Sequence, residues 1–291
     1  MPLVIFLKKL VQLVLLVLLV QLVSLEYFIT MNNATLWRAF GRNFITSILL
    51  FGAFLGLLWL VEILFPSMQG QLLHFDNTAW VVGIPASIIG VAYILTVRDP
   101  QNFTGFFAGI VMSALLGVQF TLLRQYDSTF LYFFVFIPFQ MMSIYKWSRK
   151  KEDGGASFEP KFLDIPRFWL SVGLCIAITL GDYFIQTFVF NGNGDLTENV
   201  AAKLCSGLMI SSSFLANYWL IYRKTDSWVY WFIYSVSGIV FFSLPGATHN
   251  PFSIVLFIFF LVINSMAGIA WIKNTKPENL YWATCIFARK K

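Results

Sequence analysis

Only three cysteines, Cys175, Cys205 and Cys285, occur among 291 residues, far apart and without a Cys-x-x-Cys pair. That spacing supports neither a disulfide framework nor a zinc site. Histidine is scarcer still: His74 and His249 fall in two separate loops, with no His-Glu-x-x-His run, and read as solvated loop residues. No glycine-rich loop ends in Lys-Ser/Thr, which argues against ATP hydrolysis by this chain. No two carboxylates share a helical face inside an apolar stretch, so an enzymatic reading has nothing positive to rest on. Charge itself is in short supply: 12% of residues are charged against 58% hydrophobic, and mean hydropathy is +0.73. A soluble domain needs a polar skin that this composition cannot supply.

What is abundant is apolar sequence in membrane-length runs. Crossing ~30 Å of hydrocarbon takes about 20 mostly apolar residues of helix. Runs at about 43–64, 78–97, 103–123, 128–147, 166–190, 200–222, 227–244 and 252–272 meet that length. In lipid each must satisfy its own backbone hydrogen bonds, so eight helices are predicted rather than the shorter strands of a barrel. The formal charge of +6 is no nucleic-acid patch, because basic residues fall into alternate loops. Arg38, Arg42, Arg98, Lys146, Lys161, Arg223, Lys224 and the C-terminal Lys/Arg cluster share one side, whereas 65–77, 191–199 and 245–251 contain no Lys or Arg. This positive-inside pattern places both termini in the cytoplasm. Residues 1–30 carry Lys8 and Lys9 ahead of a Leu/Val run and read as a peripheral segment or an extension before a start near Met31, not a ninth span.

The chain also echoes itself. Arg98, Phe103 and Phe106 are followed by Gln140 and Trp147; Arg223, Trp228 and Trp231 are followed by Asn264 and Trp271. The first three pairs are offset by 125 residues and the last two by 124. Two like-oriented triple-helix units imply a solute carrier with its site between the halves. The predicted organisation is all-α and polytopic. A hydrophobic extension and cytoplasmic linker fill 1–42, an extra transmembrane helix 43–64, and the first three-helix repeat 78–147. A cytoplasmic loop and linker helix occupy 148–195, the second repeat 196–272, and a cytoplasmic tail 273–291.

Candidate site residues are neutral, aromatic and amide-bearing. Gln140 and Trp147, seven apart, share a helix face, as do Asn264 and Trp271; Trp228 and Trp231, three apart, share another. The helix before them adds Ser211, Ser212, Ser213 and Asn217. A flat solute could stack on indole while amides and hydroxyls read its polar edge, and a cationic ring would gain further from a tryptophan face. Plainer readings compete. Trp147 and Trp271, each beside Lys or Arg near a span end, fit interfacial anchors. Gln140 and Asn264 are equally served by a role as interhelical glue. Gly105, Gly109, Gly117, Gly238 and Gly268 read as close-packing positions. Glu62 can snorkel to the interface, and Asp182 lies in the linker helix as either a gating group or a structural hydrogen-bonding partner.

At these residues a resemblance emerges. IPFQMMSIYKW (137–147), YRKTDSWVYWFIYSV (222–236) and VINSMAGIAWIKN (262–274) resemble the bacterial nicotinamide riboside transporter family, PnuC. The similarity covers about 75–275, and its strongest motif is Lys-x-x-x-Trp-x-x-Trp at 224–231. The resemblance implies a duplicated SWEET-type unit joined as three, one and three helices, with an extra helix in front. It implies facilitated diffusion of a vitamin B precursor, no ATP or ion coupling, and trapping by a cytoplasmic kinase. Trp228 and Trp231 would stack on the solute, with polar contacts from Gln140 and Asn264; Asn217 and Ser235 complete the candidate substrate-binding set on their position in the spans. Ser235 stands where many members carry Asn, the stretch around Gly109 lacks the usual Asn, and an acidic residue expected near Ser206 is missing. Nicotinamide riboside is therefore the leading solute, with thiamine, riboflavin or a deoxynucleoside as alternatives and a membrane enzyme as the rival class. No cofactor or metal is expected. The expected partners are a small solute and the bilayer, not nucleic acid; homo-oligomerisation is left open.

Overall fold

Apolar helices of membrane length organise this chain, with buried serine, threonine and amide side chains marking their inward faces. In the computed structural model, residues 34–64, 78–122, 126–148, 160–188, 199–244 and 251–275 are described. Expectations for residues 1–30, His74, His249, Cys285, the loops 65–77, 191–198 and 245–250, and the C-terminal basic cluster lie outside them. Helix α1 spans Ala34–Leu64, α2 Thr78–Val97 and α3 Gly105–Leu122. Helix α4, Tyr126–Leu131, runs through a π turn, Tyr132–Phe136, into α5, Ile137–Ser148. Then follow α6, Ile165–Phe188, α7, Val200–Ile221, α8, Ser227–Ser243, and α9, Pro251–Asn274. Among the described residues, six helices are long and apolar enough to cross a membrane, and two shorter apolar ones are Val81–Val97 and Ser227–Ser243.

Local chemistry explains the ends and irregularities. Asn199 caps α7 by accepting a hydrogen bond from the Ala202 amide at 3.2 Å. Pro166 and Pro251 stand in first turns, where a missing N–H costs nothing. Helix α1 begins at Ala34 instead of near 43, because Trp37 and Phe40 pack inward; Trp37 lies 5.4 Å from Phe107. Its 31 residues make about 46 Å of helix, longer than the hydrocarbon slab, so Arg38 and Arg42 ride on its first turns instead of preceding it. The π turn precedes Pro138, which has no amide hydrogen and crowds the carbonyl one turn back. Widening the turn, with the Ile137 N–H on the Tyr132 carbonyl, absorbs that conflict.

Helix α2 packs on α3, α3 on α4 and α5, α7 on α8, and α8 on α9. Across the middle, α5 meets α7 and α9 meets α2. Helix α1 covers the α2–α9 seam, placing Phe51 and Phe54 against Ile84, Ile88, Val255 and Phe259. Helix α6 attaches to α7 through a polar seam: Lys203 Nζ to Thr187, Gln186 to Ser206, Thr179 to Ser211, and Trp219 Nε1 to Ser171. The interior is polar by soluble-protein standards, with Ser47, Thr96, Ser113, Ser212 and Asn217 buried. Leu49, Trp59, Leu170, Phe188 and Val262 face outward. That inversion suits lipid, where close approach and interhelical hydrogen bonds replace hydrophobic collapse.

Candidate functional site

A cavity of about 310 Å³ lies between the two helix groups. Its wall takes residues from the starts of α2, α4, α7 and α9 and the ends of α3 and α8, so it sits toward one end of the bundle. Gln119, Ser206, Tyr132 and Tyr234 supply polar atoms; Phe120, Phe241, Phe257 and Phe260 supply aromatic surface; no Lys or Arg lines it among the described residues. Tyr132 and Tyr234, from opposite groups, both line it.

One helical turn beyond this wall comes a layer of buried amides. Asn217 follows Ser213 by four residues, and Asn264 follows Phe260 by four, about 6 Å along each axis. Gln140 Nε2 donates to Asn217 Oδ1 at 2.9 Å, joining α5 to α7 across the groups, and approaches the Tyr93 hydroxyl at 3.5 Å. Gly109 makes room for this, since a Cβ there would stand 2.8 Å from the Gln140 amide carbon. Asn264 Nδ2 donates to Ser235 Oγ at 3.2 Å, while Ser235 donates back to the Trp231 carbonyl. The Gln140 Oε1 and Asn264 Oδ1 oxygens are buried with no partner among the described residues.

Two further turns along, tryptophans close the far end. Trp271 lies 5.9 Å from Trp147 and 5.8 Å from Trp228, centroid to centroid, and Phe106 meets the Trp147 edge at 4.7 Å. Trp147 and Trp271 are buried, contrary to the expectation of interfacial anchors, because the α5 and α9 faces carrying Gln140 and Asn264 point inward along their whole length. Trp271 Nε1 donates to the Val97 carbonyl at 3.0 Å; Trp147 Nε1 and Trp228 Nε1 are unpartnered among the described residues.

The turn between α7 and α8 locks this end. Arg223 adopts a positive φ of 52°, a left-handed conformation uncommon outside glycine. From there it donates Nε to the Pro100 carbonyl at 3.1 Å and Nη2 to the Trp147 carbonyl at 3.4 Å, with its guanidinium 4.5 Å from the Trp147 ring centroid. Burial lowers its pKa to about 10. Burial also lowers that of Lys224, whose Nζ turns to the Phe162 carbonyl. The strand-like segment ahead of α6 docks here: Lys161 pairs with Lys224 in a parallel bridge, and the Leu163 amide donates to Asp226 Oδ2 at 2.6 Å.

The structure therefore brings Gln140 with Asn217 and Asn264 with Ser235, buries Trp228 in the closed end, and leaves Trp231 half-buried beside Tyr234 at 5.5 Å. None of these six lines the cavity as it stands; they form the layers beneath it. Gln119, Tyr132 and Tyr234 were not singled out by sequence. Gln119 lies one turn from its span end, where an amide meets interfacial water, and tyrosines in an aromatic-rich chain carry no distinctive signal. The close-packing glycines behave as expected, Gly238 most tightly, its Cβ position lying 2.1 Å from the Phe257 ring.

Comparison with known proteins places this architecture. The sequence profile described as nicotinamide mononucleotide transporter matches residues 80–273. The nicotinamide riboside transporter PnuC of Escherichia coli (strain K12) is 21% identical over 240 residues, covering 74% of this chain and 96% of the relative. The protein of the same name from Shigella flexneri matches to the same extent. A crystal structure of the vitamin B3 transporter PnuC superposes with a TM-score of 0.54 at 15% identity, covering 81% of this chain and 96% of that one. That likeness shows a shared helical fold. With two thirds of its length matched by the family profile, this chain belongs to the nicotinamide mononucleotide transporter family.

Proposed function

We propose that this chain carries nicotinamide riboside, or a closely related vitamin B3 precursor, across the bacterial inner membrane by facilitated diffusion. The relatives' names and the family assignment support a carrier rather than an enzyme. The observation that carries the mechanism is the set of buried atoms beneath the cavity that have no partner among the described residues: the Gln140 and Asn264 amide oxygens and the Trp228 indole N–H. Polar groups in a membrane interior are ordinarily satisfied, and orphans call for a reason. A solute descending from the cavity supplies their partners.

In this reading α2 to α5 and α7 to α9 are two like-oriented triple-helix units joined by α6, with α1 an added helix. Loop charge puts the cavity end outside and the Arg223 end in the cytoplasm, with both termini cytoplasmic. A pyridinium nucleoside enters between Phe257, Phe260 and the tyrosines and moves against the Trp231 face. There a cationic ring gains about 1–2 kcal/mol in a dry site. Gln140, Asn264, Asn217 and Ser235 exchange mutual hydrogen bonds for bonds to the ribose and carboxamide. The two units then rock about the bound solute, breaking the Arg223 and Trp271 contacts and exposing the site to the cytoplasm, where a kinase traps the product.

Counterflow in proteoliposomes tests the reading. Vesicles preloaded with unlabelled nicotinamide riboside are expected to accumulate labelled nicotinamide riboside transiently, without ATP or an ion gradient. Thiamine, riboflavin and deoxynucleosides should compete weakly. Absence of counterflow by correctly inserted protein, or accumulation that requires a gradient, contradicts it.

A further inference from the structure

We infer that the cavity is itself a recognition subsite for a primary carboxamide, read by Ser206 and Gln119, with Asp182 and Gln186 as positioning residues behind it. This rests on the transport reading above and adds which atoms select the solute before it reaches the tryptophans.

Hydrogen bonding sets Ser206 apart from Ser87 and Ser213. Among the cavity hydroxyls, Ser87 donates to the Gly83 carbonyl at 2.9 Å and Ser213 to the Ile210 carbonyl at 3.0 Å, so both spend their hydrogen on their own helix. Ser206 is held the opposite way: its Oγ accepts from Gln186 Nε2 at 3.1 Å. The same Nε2 also donates to Asp182 Oδ2. Both amide hydrogens of Gln186 are then committed, and its Oε1 is left buried without a partner among the described residues. Asp182, an acceptor, fixes the NH₂ edge toward Ser206; the flipped amide would present oxygen and draw off the serine hydrogen. Held as an acceptor, Ser206 keeps its O–H to donate into the cavity. Gly207, whose Cβ would stand 2.7 Å from the Thr179 carbonyl, lets α6 and α7 approach closely enough for this relay.

Gln119 supplies the complement. It lines the same cavity, reaches over Gly83 with its Nε2 2.7 Å from that residue's Cβ position, and has no hydrogen-bonding partner among the described residues. A side-chain amide offers one acceptor and two donor hydrogens. A primary carboxamide answers both groups, accepting from Ser206 and giving N–H to Gln119. A carboxylate in the same place loses its hydration with no Lys or Arg among the described residues of the wall to offset it. Lys203, the nearest cation in sequence, turns its Nζ to Thr187 at 3.2 Å on the α6 side. The aromatic remainder of the wall accepts the ring that carries the carboxamide.

The test is the initial rate of uptake into proteoliposomes of labelled nicotinamide riboside and of nicotinic acid riboside, its carboxylate counterpart. The wild-type protein is expected to favour the carboxamide by at least about tenfold in Vmax/KM. Ser206→Ala should raise KM for the carboxamide solute about fivefold with Vmax unchanged, and Gln119→Leu about tenfold. Ser206→Thr, which keeps the hydroxyl, should restore wild-type KM. Asp182→Leu should resemble Ser206→Ala in KM, whereas Asp182→Asn, which keeps an acceptor, should not; a purely structural role for Asp182 would lower Vmax and expression together. The inference is overturned if wild-type protein moves nicotinamide riboside but Ser206→Ala and Gln119→Leu leave KM within twofold. It is equally overturned if the carboxylate is carried as well as the carboxamide. Uptake of neither solute by correctly inserted wild-type protein removes the transport reading and this inference together.

Discussion

The two echoing segments share a spacing of arginine, aromatic and amide residues and differ clearly in their bonding. Arg98 is exposed, whereas Arg223 is half-buried, left-handed and stacked on Trp147. Trp271 Nε1 has the Val97 carbonyl, whereas Trp147 Nε1 is unpartnered among the described residues. Helix α9 runs unbroken, whereas the matching stretch of the first segment contains the π turn at Tyr132–Phe136. The offset between the echoes falls from 125 to 124 residues across this stretch, and a π turn is how a helix houses one additional residue. Under the proposed rocking of two units, the contacts made by only one half are the ones that would break.

That comparison can be broken at several points, in order of expected effect. Trp231→Ala removes the aromatic face beside the cavity and should cut nicotinamide riboside uptake about ten- to thirtyfold in well-expressed protein. Uptake near wild-type would move Trp231 out of the path. Gly238→Ala forces a Cβ into the Phe257 ring and should cost about 1–3 kcal/mol, read as a lower melting temperature in detergent. Gly41→Ala, with nothing within 4 Å, should have little effect.

Arg223→Ala should loosen the closed end by about 2 kcal/mol, the sum of a cation–π contact and two carbonyl hydrogen bonds. Its pH dependence has a definite sign. Burial lowers the arginine's folded pKa from its ordinary value to about 10, so the cost of burying its charge is fully present below about pH 10 and is relieved only above it. Between pH 6 and 9 the stability difference between Arg223→Ala and wild type should be flat; a slope in that window would mean another group titrates with it. The smallest effect is the sharpest comparison. Trp271→Phe and Trp147→Phe remove the same volume, but only the first loses a hydrogen bond, so it should be more destabilising by about 1 kcal/mol in chemical unfolding. Equal losses would erase the asymmetry.

Much of this arrangement was legible in sequence because lipid imposes simple rules. Membrane-length apolar runs fix helices, and all eight runs became helices. An amide within a span must face inward, which correctly turned Gln140 and Asn264 toward the bundle. What failed is equally physical. A tryptophan beside a lysine near a span end satisfies the anchor rule, yet Trp147 and Trp271 are buried because the two groups meet at that end. Sequence carries no sign of which carrier state the chain adopts, so it could not separate the wall residues Gln119, Tyr132 and Tyr234 from the layer below. Nor could it foresee that Asp182 reaches the cavity through Gln186 and Ser206.

The most direct measurement is a pair of spin-label distances across the two groups, one at each end. Labels at Gln101 and Val229 report the tryptophan end, and labels at Leu122 and Val200 the cavity end; all four positions are exposed. With saturating nicotinamide riboside, the first distance should gain a longer population while the second gains a shorter one. Transport-active protein in which neither distribution changes, or in which both lengthen together, would contradict rocking of two units about a central solute.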